Sequence, residues 1–305
     1  MDRRGFLASA AGAGVIAATG TSSGTSQPAR ARSSGSFGMH FAPHFGMFKS
    51  LGGDDLVAQL EFAASEGFTA WEDNGMSGRS SSDQKRIARA MNDLGMMMGV
   101  FVLNPSTAWG PTFSRGNASD RQKFLDETKA AVDVAKTVNA KWMTVVPGKR
   151  ENRLDEGYMT AHAIDQLRAA AEILEPEGLV MVLEPLNPRN HPDMLLAKMA
   201  HAFAICRGVD SPSCKILCDL YHQQITEGNL LPNVDRCWDE IAYFQIGDNP
   251  GRKEPTTGEI NYANVFAHIK QRGFRGVLGM EHGNSKSGAD GERAVIEAYR
   301  ACDPA

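Results

Sequence analysis

Cysteine is scarce in this 305-residue chain and poorly arranged for joint work. The five cysteines, at 206, 214, 218, 237 and 302, form no CxxC pair, and an odd number completes no disulfide framework. They read as small apolar fillers of a core. Positive charge is also short. A formal charge of −4 and a pI near 6.1 leave no basic field to draw in a phosphate backbone, which argues against a nucleic-acid partner. No apolar run is long enough to cross about 30 Å of hydrocarbon as a helix, so membrane insertion is not expected. No GxGxxG turn follows the first apolar run, which removes the usual mark of a doubly wound dinucleotide fold. What remains is ordinary globular material, 42% hydrophobic and 22% charged, able to bury a sizeable core.

The first residues read MDRRGFLASAAGAGVIAATG. Arg3-Arg4 is followed by Phe6-Leu7 and a weakly apolar Ala/Gly stretch from Ala8 to about Ala18. This resembles a twin-arginine export signal, an address read by a receptor rather than an anchor. Ala29-Arg30-Ala31 offers a small-x-small cleavage site, and Thr19 to Ser36 is a Ser/Thr/Gly-rich linker with little to bury. Residues 1–35 are therefore expected to be signal and linker, with a periplasmic or extracellular destination. A cytoplasmic protein with a disordered tail is the alternative. The folded domain is expected over 36–305.

Within it, eight short apolar runs alternate with longer amphipathic segments. The runs begin at Phe37, Phe68, Met96, Lys141, Leu179, Lys215, Ile241 and Gly276. Most are nearly continuous in hydrophobicity, as parallel strands covered on both faces require. Between them lie segments of helical spacing, such as DDLVAQLEFAASEG from Asp54, where Leu56, Leu60 and Ala63 share a face. Eight strand–helix units without a long linker predict an α/β fold, a single (β/α)8 TIM barrel. Met91, Met96, Met97 and Met98 are read as core and strand; packing at a homo-oligomer interface is the alternative.

Chemistry in such a barrel sits where the strands end. Glu184 follows LVMVL, Asp219 follows KILC, Gln245 follows IAYF and Glu281 follows GVLGM. Each is about one strand–helix unit from the next, so four side-chain oxygen donors should converge. Facing carboxylates repel and lose hydration, and a divalent cation or partial protonation is the usual resolution. Carboxylates plus an amide oxygen, without thiolates, suit Mg²⁺ or Mn²⁺ better than structural Zn²⁺.

Around these residues stand Glu184-Pro185-Leu186-Asn187, Cys218-Asp219-Leu220-Tyr221-His222, the stretch QIGDNPGRKEPTTGEINY from Gln245, and Gly279-Met280-Glu281. On these segments the chain resembles the hydroxypyruvate isomerase family, a branch of the xylose isomerase-like barrels that also hold ketose 3-epimerases and endonuclease IV-type enzymes. The resemblance implies that Glu184, Asp219, Gln245 and Glu281 bind the metal and that Glu184 and Glu281 also move the proton. The implied reaction interconverts a small keto acid or keto-sugar through an enediolate. His222 and Arg252 are expected at substrate oxygens, with Glu254, Lys149 and Asn104 as further substrate contacts. Glu72 is expected to line the cup, Phe45 and Trp109 to form an apolar wall, and His40 and His44 to be satisfied rim residues. Ketose epimerases of the wider group carry an acid six positions past the first glutamate, where this chain has Asn190; that weighs against a specific epimerase. Other readings are an exported epimerase or lyase acting on a keto-glycoside, a non-catalytic carbohydrate-binding barrel, and a DNA-repair endonuclease. The last lacks the histidines that a multi-zinc site needs.

Overall fold

The computed structural model describes residues 35–304. The expected export signal and its cleavage site lie outside the described residues.

Each of the eight apolar runs contains a strand. They are β1 (His40–Ala42), β2 (Ala70–Trp71), β3 (Met97–Met98), β4 (Trp142–Val145), β5 (Val180–Leu183), β6 (Cys214–Asp219), β7 (Ile241–Gln245) and β8 (Val277–Gly279). Six pair in parallel in the order β1-β8-β7-β6-β5-β4, and β2 pairs with β3. Parallel single bridges, His44 to Glu72 and Met98 to Ala140, join these two groups. Closure is therefore in chain order, 1 through 8 and back to 1, as the alternation predicted.

The helices are α1 (Lys49–Gly52), α2 (Leu56–Ser65), α3 (Ser81–Leu94), α4 (Ala118–Val138), α5 (Glu156–Leu174), α6 (Met199–Val209), α7 (Leu220–Thr226), α8 (Leu230–Cys237), α9 (Tyr262–Gln271) and α10 (Gly288–Cys302). Several of their starts carry side-chain acceptors. Asp55 caps Val57 N and Ala58 N, Ser80 caps Asp83 N, and Asn117 caps Asp120 N. Gly95 and Asn139 end α3 and α4 in the left-handed conformation that suits those residues. Among the described residues no helix is long and apolar enough to cross a membrane.

Two apolar layers follow from strand geometry. Alternate strand residues face opposite sides. Phe41, Met143, Met181, Leu183, Ile216, Phe244 and Leu278 point out against the helices, meeting Leu60, Leu167, Ile205 and Phe266. Ala42, Ala70, Val100, Val182, Leu217, Tyr243 and Val277 point in and fill the barrel interior. Met91, Met96 and Met98 are buried in the outer layer, and Met97 is half-buried against the inner one.

β3 is shorter than its nine-residue run. Regular pairing stops at Gly99 and resumes only as a bridge from Val102 to Thr144. Gly99 lies where the Tyr243 hydroxyl crosses the interior; a Cβ there would stand 2.4 Å from it.

Candidate metal centre

The inner layer determines what reaches the mouth of the barrel. With a side-chain period of two, Glu184 lies one inward step past Val182, Asp219 one past Leu217, and Gln245 one past Tyr243. Glu281 lies two steps past Val277. Asp219 and Gln245 sit opposite each other in register, as do Gln245 and Gly279. Glu72 is one step past Ala70 by the same rule, and it too is buried.

Asp219 has a divided carboxylate. Its Oδ1 caps α7, accepting from Tyr221 N at 2.7 Å and His222 N at 3.1 Å. Its Oδ2 faces the mouth and accepts from Arg252 Nη2 at 3.0 Å. The same Nη2 donates to Glu281 Oε2 at 2.7 Å, so one guanidinium bridges two acids. Burial pushes the Asp219 carboxyl up, but His222, Arg252 and the two backbone N–H donors outweigh it and hold it below its ordinary value.

Glu184 has no such support. Burial, then the charges of Glu281 and Asp219, push it well above the usual carboxylate range. Burial raises Glu281 to about 7 despite Arg252. Asn74 Nδ2 donates to the other Glu281 oxygen at 3.2 Å.

His222 completes the cluster. Its Nε2 lies 3.8 Å from Glu184 Oε1 and 3.6 Å from Asp219 Oδ2. Burial lowers the imidazole to about 4, so it is neutral near pH 7. Its Nδ1 accepts from the Asn187 backbone N–H at 3.2 Å, which puts the ring proton on Nε2. That nitrogen therefore offers a hydrogen to the carboxylates or to a substrate oxygen.

Glu184, Asp219 and His222 each bring one polar atom within 4.8 Å of the others, a buried group of metal-ligand type. With its proton on Nε2, His222 borders that site as a donor while the two carboxylates supply the ligand oxygens. The amide of Gln245 adds a further oxygen beside these groups. Its Nε2 donates to Glu72 Oε1 at 2.9 Å, while its Oε1 is buried with no hydrogen-bond partner. A buried carbonyl oxygen left unpaired costs about 1–3 kcal/mol unless something binds it. An unpaired amide oxygen beside underneutralised carboxylates fits a hard divalent cation.

A model of the family described as xylose isomerase-like TIM barrel matches residues 60–302. The chain belongs to the xylose isomerase-like TIM barrel family. Within this family it is similar to the hydroxypyruvate isomerase of Escherichia coli, with 32% identity over 53% of this chain and 62% of that protein. It is similar as well to the 2-oxo-tetronate isomerase of Pectobacterium atrosepticum, with 27% identity over 67% of this chain and 79% of that one. Among solved structures it resembles an AP endonuclease, family 2, from Brucella melitensis. That match has a TM-score of 0.73 and 25% identity, over 83% of this chain and 96% of that one.

In this xylose isomerase-like barrel the mouth opens into a cavity of about 320 Å³. Glu184, His222, Arg252 and Glu281 line it, with Asn74 from the β2 loop and Trp109 from the β3 loop. Trp109 is 53% exposed and stacks on His191, their ring centroids 5.7 Å apart. Phe45, its expected partner in the wall, packs instead on Trp71 under the Arg79 guanidinium. His44 is a rim residue, bonded to the Phe45 and His282 carbonyls.

Three residues expected at the substrate stand elsewhere. Glu254 is buried, and its two oxygens accept from Ser285 N and Ser285 Oγ, tying the β7 loop to the β8 loop. Asn104 is fully buried. Its amide donates to the Val146 carbonyl and accepts from the Val146 N–H, clamping the end of the third run to β4. Lys149 is exposed and does not line the cavity; its backbone bridges to Met194. A charge or amide at a strand end is thus ambiguous until the loop path is known.

Asn74 and His191 escaped the sequence reading. Asn74 had one signal, a further inward step past Glu72, whereas His191 reaches the cavity through a loop that no period describes. Asn190 is a buttress: its Oδ1 accepts from Asn187 Nδ2 and from the Tyr221 hydroxyl.

Proposed function

We propose that this barrel is a metal-dependent isomerase of small 2-keto acids or keto-sugars, working through an enediolate. One observation carries the reading: Glu184 and Glu281 face the same cavity from β5 and β8, both raised toward neutrality, Glu184 by burial and the charges of Glu281 and Asp219, Glu281 by burial and its neighbour Asp219. A carboxyl poised near the working pH can take a proton from carbon and return one. Glu184, Asp219 Oδ2, Gln245 Oε1 and Glu281 would hold the ion, and their all-oxygen chemistry suits Mg²⁺ or Mn²⁺. When bound, the ion supplies positive charge against the developing enediolate oxygens.

The remaining roles belong to side chains of the chain itself. His222 Nε2–H is placed to donate to a substrate oxygen. Arg252 bridges Asp219 and Glu281, offsetting their mutual repulsion, and offers its guanidinium to the cavity. The similarity to a hydroxypyruvate isomerase and a 2-oxo-tetronate isomerase supports a small α-keto substrate.

The test is a panel of small keto acids and keto-sugars, offered with Mn²⁺ in deuterated water. Deuterium exchange at the carbon beside the carbonyl is expected for at least one, and Glu184→Gln and Glu281→Gln should abolish it. A metal-loaded protein inert on the whole panel would sink the proposal. Product analysis separates isomerisation from epimerisation or elimination, because the first proton transfer is common to all three.

The Trp109–His191 stack favours, as a second reading, a substrate longer than three carbons, since an aromatic face suits the C–H side of a sugar. Trp109→Ala should raise KM for keto-sugars and leave that for hydroxypyruvate nearly unchanged. Equal effects on both would remove this reading.

We also propose export of the folded protein by the twin-arginine route. Replacing Arg3 and Arg4 by lysine should retain it in the cytoplasmic fraction. An unchanged distribution would count against the address.

A further inference from the structure

We infer that Glu72 is a positioning residue that locks the orientation of the Gln245 amide, and so decides whether oxygen or nitrogen faces the ion. The inference rests on the metal reading above and goes beyond it.

A glutamine amide presents an acceptor and a donor of nearly the same shape, exchanged by a half-turn about its last bond. Only the oxygen can ligate a cation. In this barrel Nε2 is pinned to Glu72 Oε1 at 2.9 Å, and Oε1 is left buried and unpaired. Glu72 is itself held fast. Its other oxygen accepts from the Tyr243 hydroxyl at 2.8 Å, and that hydroxyl lies 3.3 Å from the Val100 N–H. The carboxyl thus reaches from the end of β2 across the interior to β7.

Space for this crossing is cut by two glycines. A Cβ on Gly279 would lie 1.8 Å from Glu72 Oε2, and one on Gly99 would lie 2.4 Å from the Tyr243 oxygen. A carboxyl that is 2% exposed inside an otherwise apolar layer is costly to keep. Its two acceptors serve one hydroxyl, which braces it, and one amide, which it aims. Supporting groups of this kind typically change metal affinity by about 10–100-fold when removed.

The probe is Mn²⁺ alone, titrated by electron paramagnetic resonance into the whole chain. Glu72→Met keeps the volume but accepts no hydrogen bond, and affinity should fall about 10–100-fold. Glu72→Gln still offers an oxygen to Gln245 and should bind close to wild type. In a Gln245→Met background, Glu72→Met should cause no further loss, whereas a general structural defect would persist there. Wild-type affinity in Glu72→Met, or an undiminished loss in the Gln245→Met background, overturns the inference. If circular dichroism shows that Glu72→Met does not fold, Tyr243→Phe takes its place. It frees the carboxyl to swing and should also weaken Mn²⁺ binding, and unchanged affinity there overturns the inference equally. Wild-type protein that binds no Mn²⁺ would remove the metal reading itself, an outcome visible before any substitution is made.

Discussion

Buried acids set the chemistry of single residues here. Glu184→Gln and Glu281→Gln each remove one proton carrier, and turnover should drop by about 10²–10⁴-fold, the usual worth of a positioned acid or base. Loss confined to KM would contradict a proton-transfer role. The pH dependence has a definite sign. Burial raises Glu72 to about 8 and Glu281 to about 7, both above the ordinary 4.5. The metal-free folded protein then keeps protons that the unfolded chain has released. Stability from these groups is present in full below about pH 4.5 and is lost as pH rises through about 7 and then 8. The Tm of metal-free protein should therefore fall over that interval, measured by calorimetry after chelation. Mn²⁺ affinity should move the opposite way and tighten from pH 6 to 8, because the ion displaces protons from the coordinating Glu184 and Glu281. Asp219 and Gln245 were legible from the sequence because each sits one period-two step beyond an apolar inner residue. Glu72 obeys the same rule, but a lone acid at a strand end does not reveal that it spans the interior. The roles expected of Glu254, Asn104 and Lys149 depended on loop paths that no periodicity encodes.

At the scale of elements, the stretch from Gln245 to Tyr262 is mostly scaffolding for one side chain. Asp248 is fully buried, and its carboxylate gathers the N–H groups of Asn249, Gly258 and Ile260. Tyr262 returns its hydroxyl to the Gly247 carbonyl, and Glu254 ties the loop to Ser285. The result aims Arg252, at φ 50°, over Asp219 and Glu281. Gly258 is required by contact: a Cβ would meet the Asn249 carbonyl oxygen at 2.3 Å. Gly258→Ala should cost about 1–3 kcal/mol by overpacking against backbone. It should also lower kcat by moving Arg252, checked by chemical denaturation alongside deuterium exchange. An unchanged kcat would mean that the loop does not control the guanidinium. The motif was therefore a sound mark of the family, yet past Gln245 most of its residues act on the backbone and only Arg252 lines the cavity.

For the whole molecule, the five cysteines are all buried and unpaired, as their spacing suggested. Reductant should leave Tm unchanged, and thiol reagents should label the protein only in denaturant; a Tm drop with reductant would contradict the structure. A buried helix contact remote from the mouth, such as Leu167→Ala on α5, should cost about 2–5 kcal/mol with little effect on kcat at temperatures where the protein stays folded. By itself the sequence determined the eight strand–helix units, their inward faces and the register of Glu184, Asp219, Gln245 and Glu281. All of these follow from periodicities of two and 3.6 that are local properties of the chain. Only the tertiary structure decided which nitrogen of His222 carries the proton, which end of the Gln245 amide is free, and where Arg252, Glu72 and Trp109 stand. Those outcomes are set by partners that closure brings together from distant strands and loops, and no local period records them.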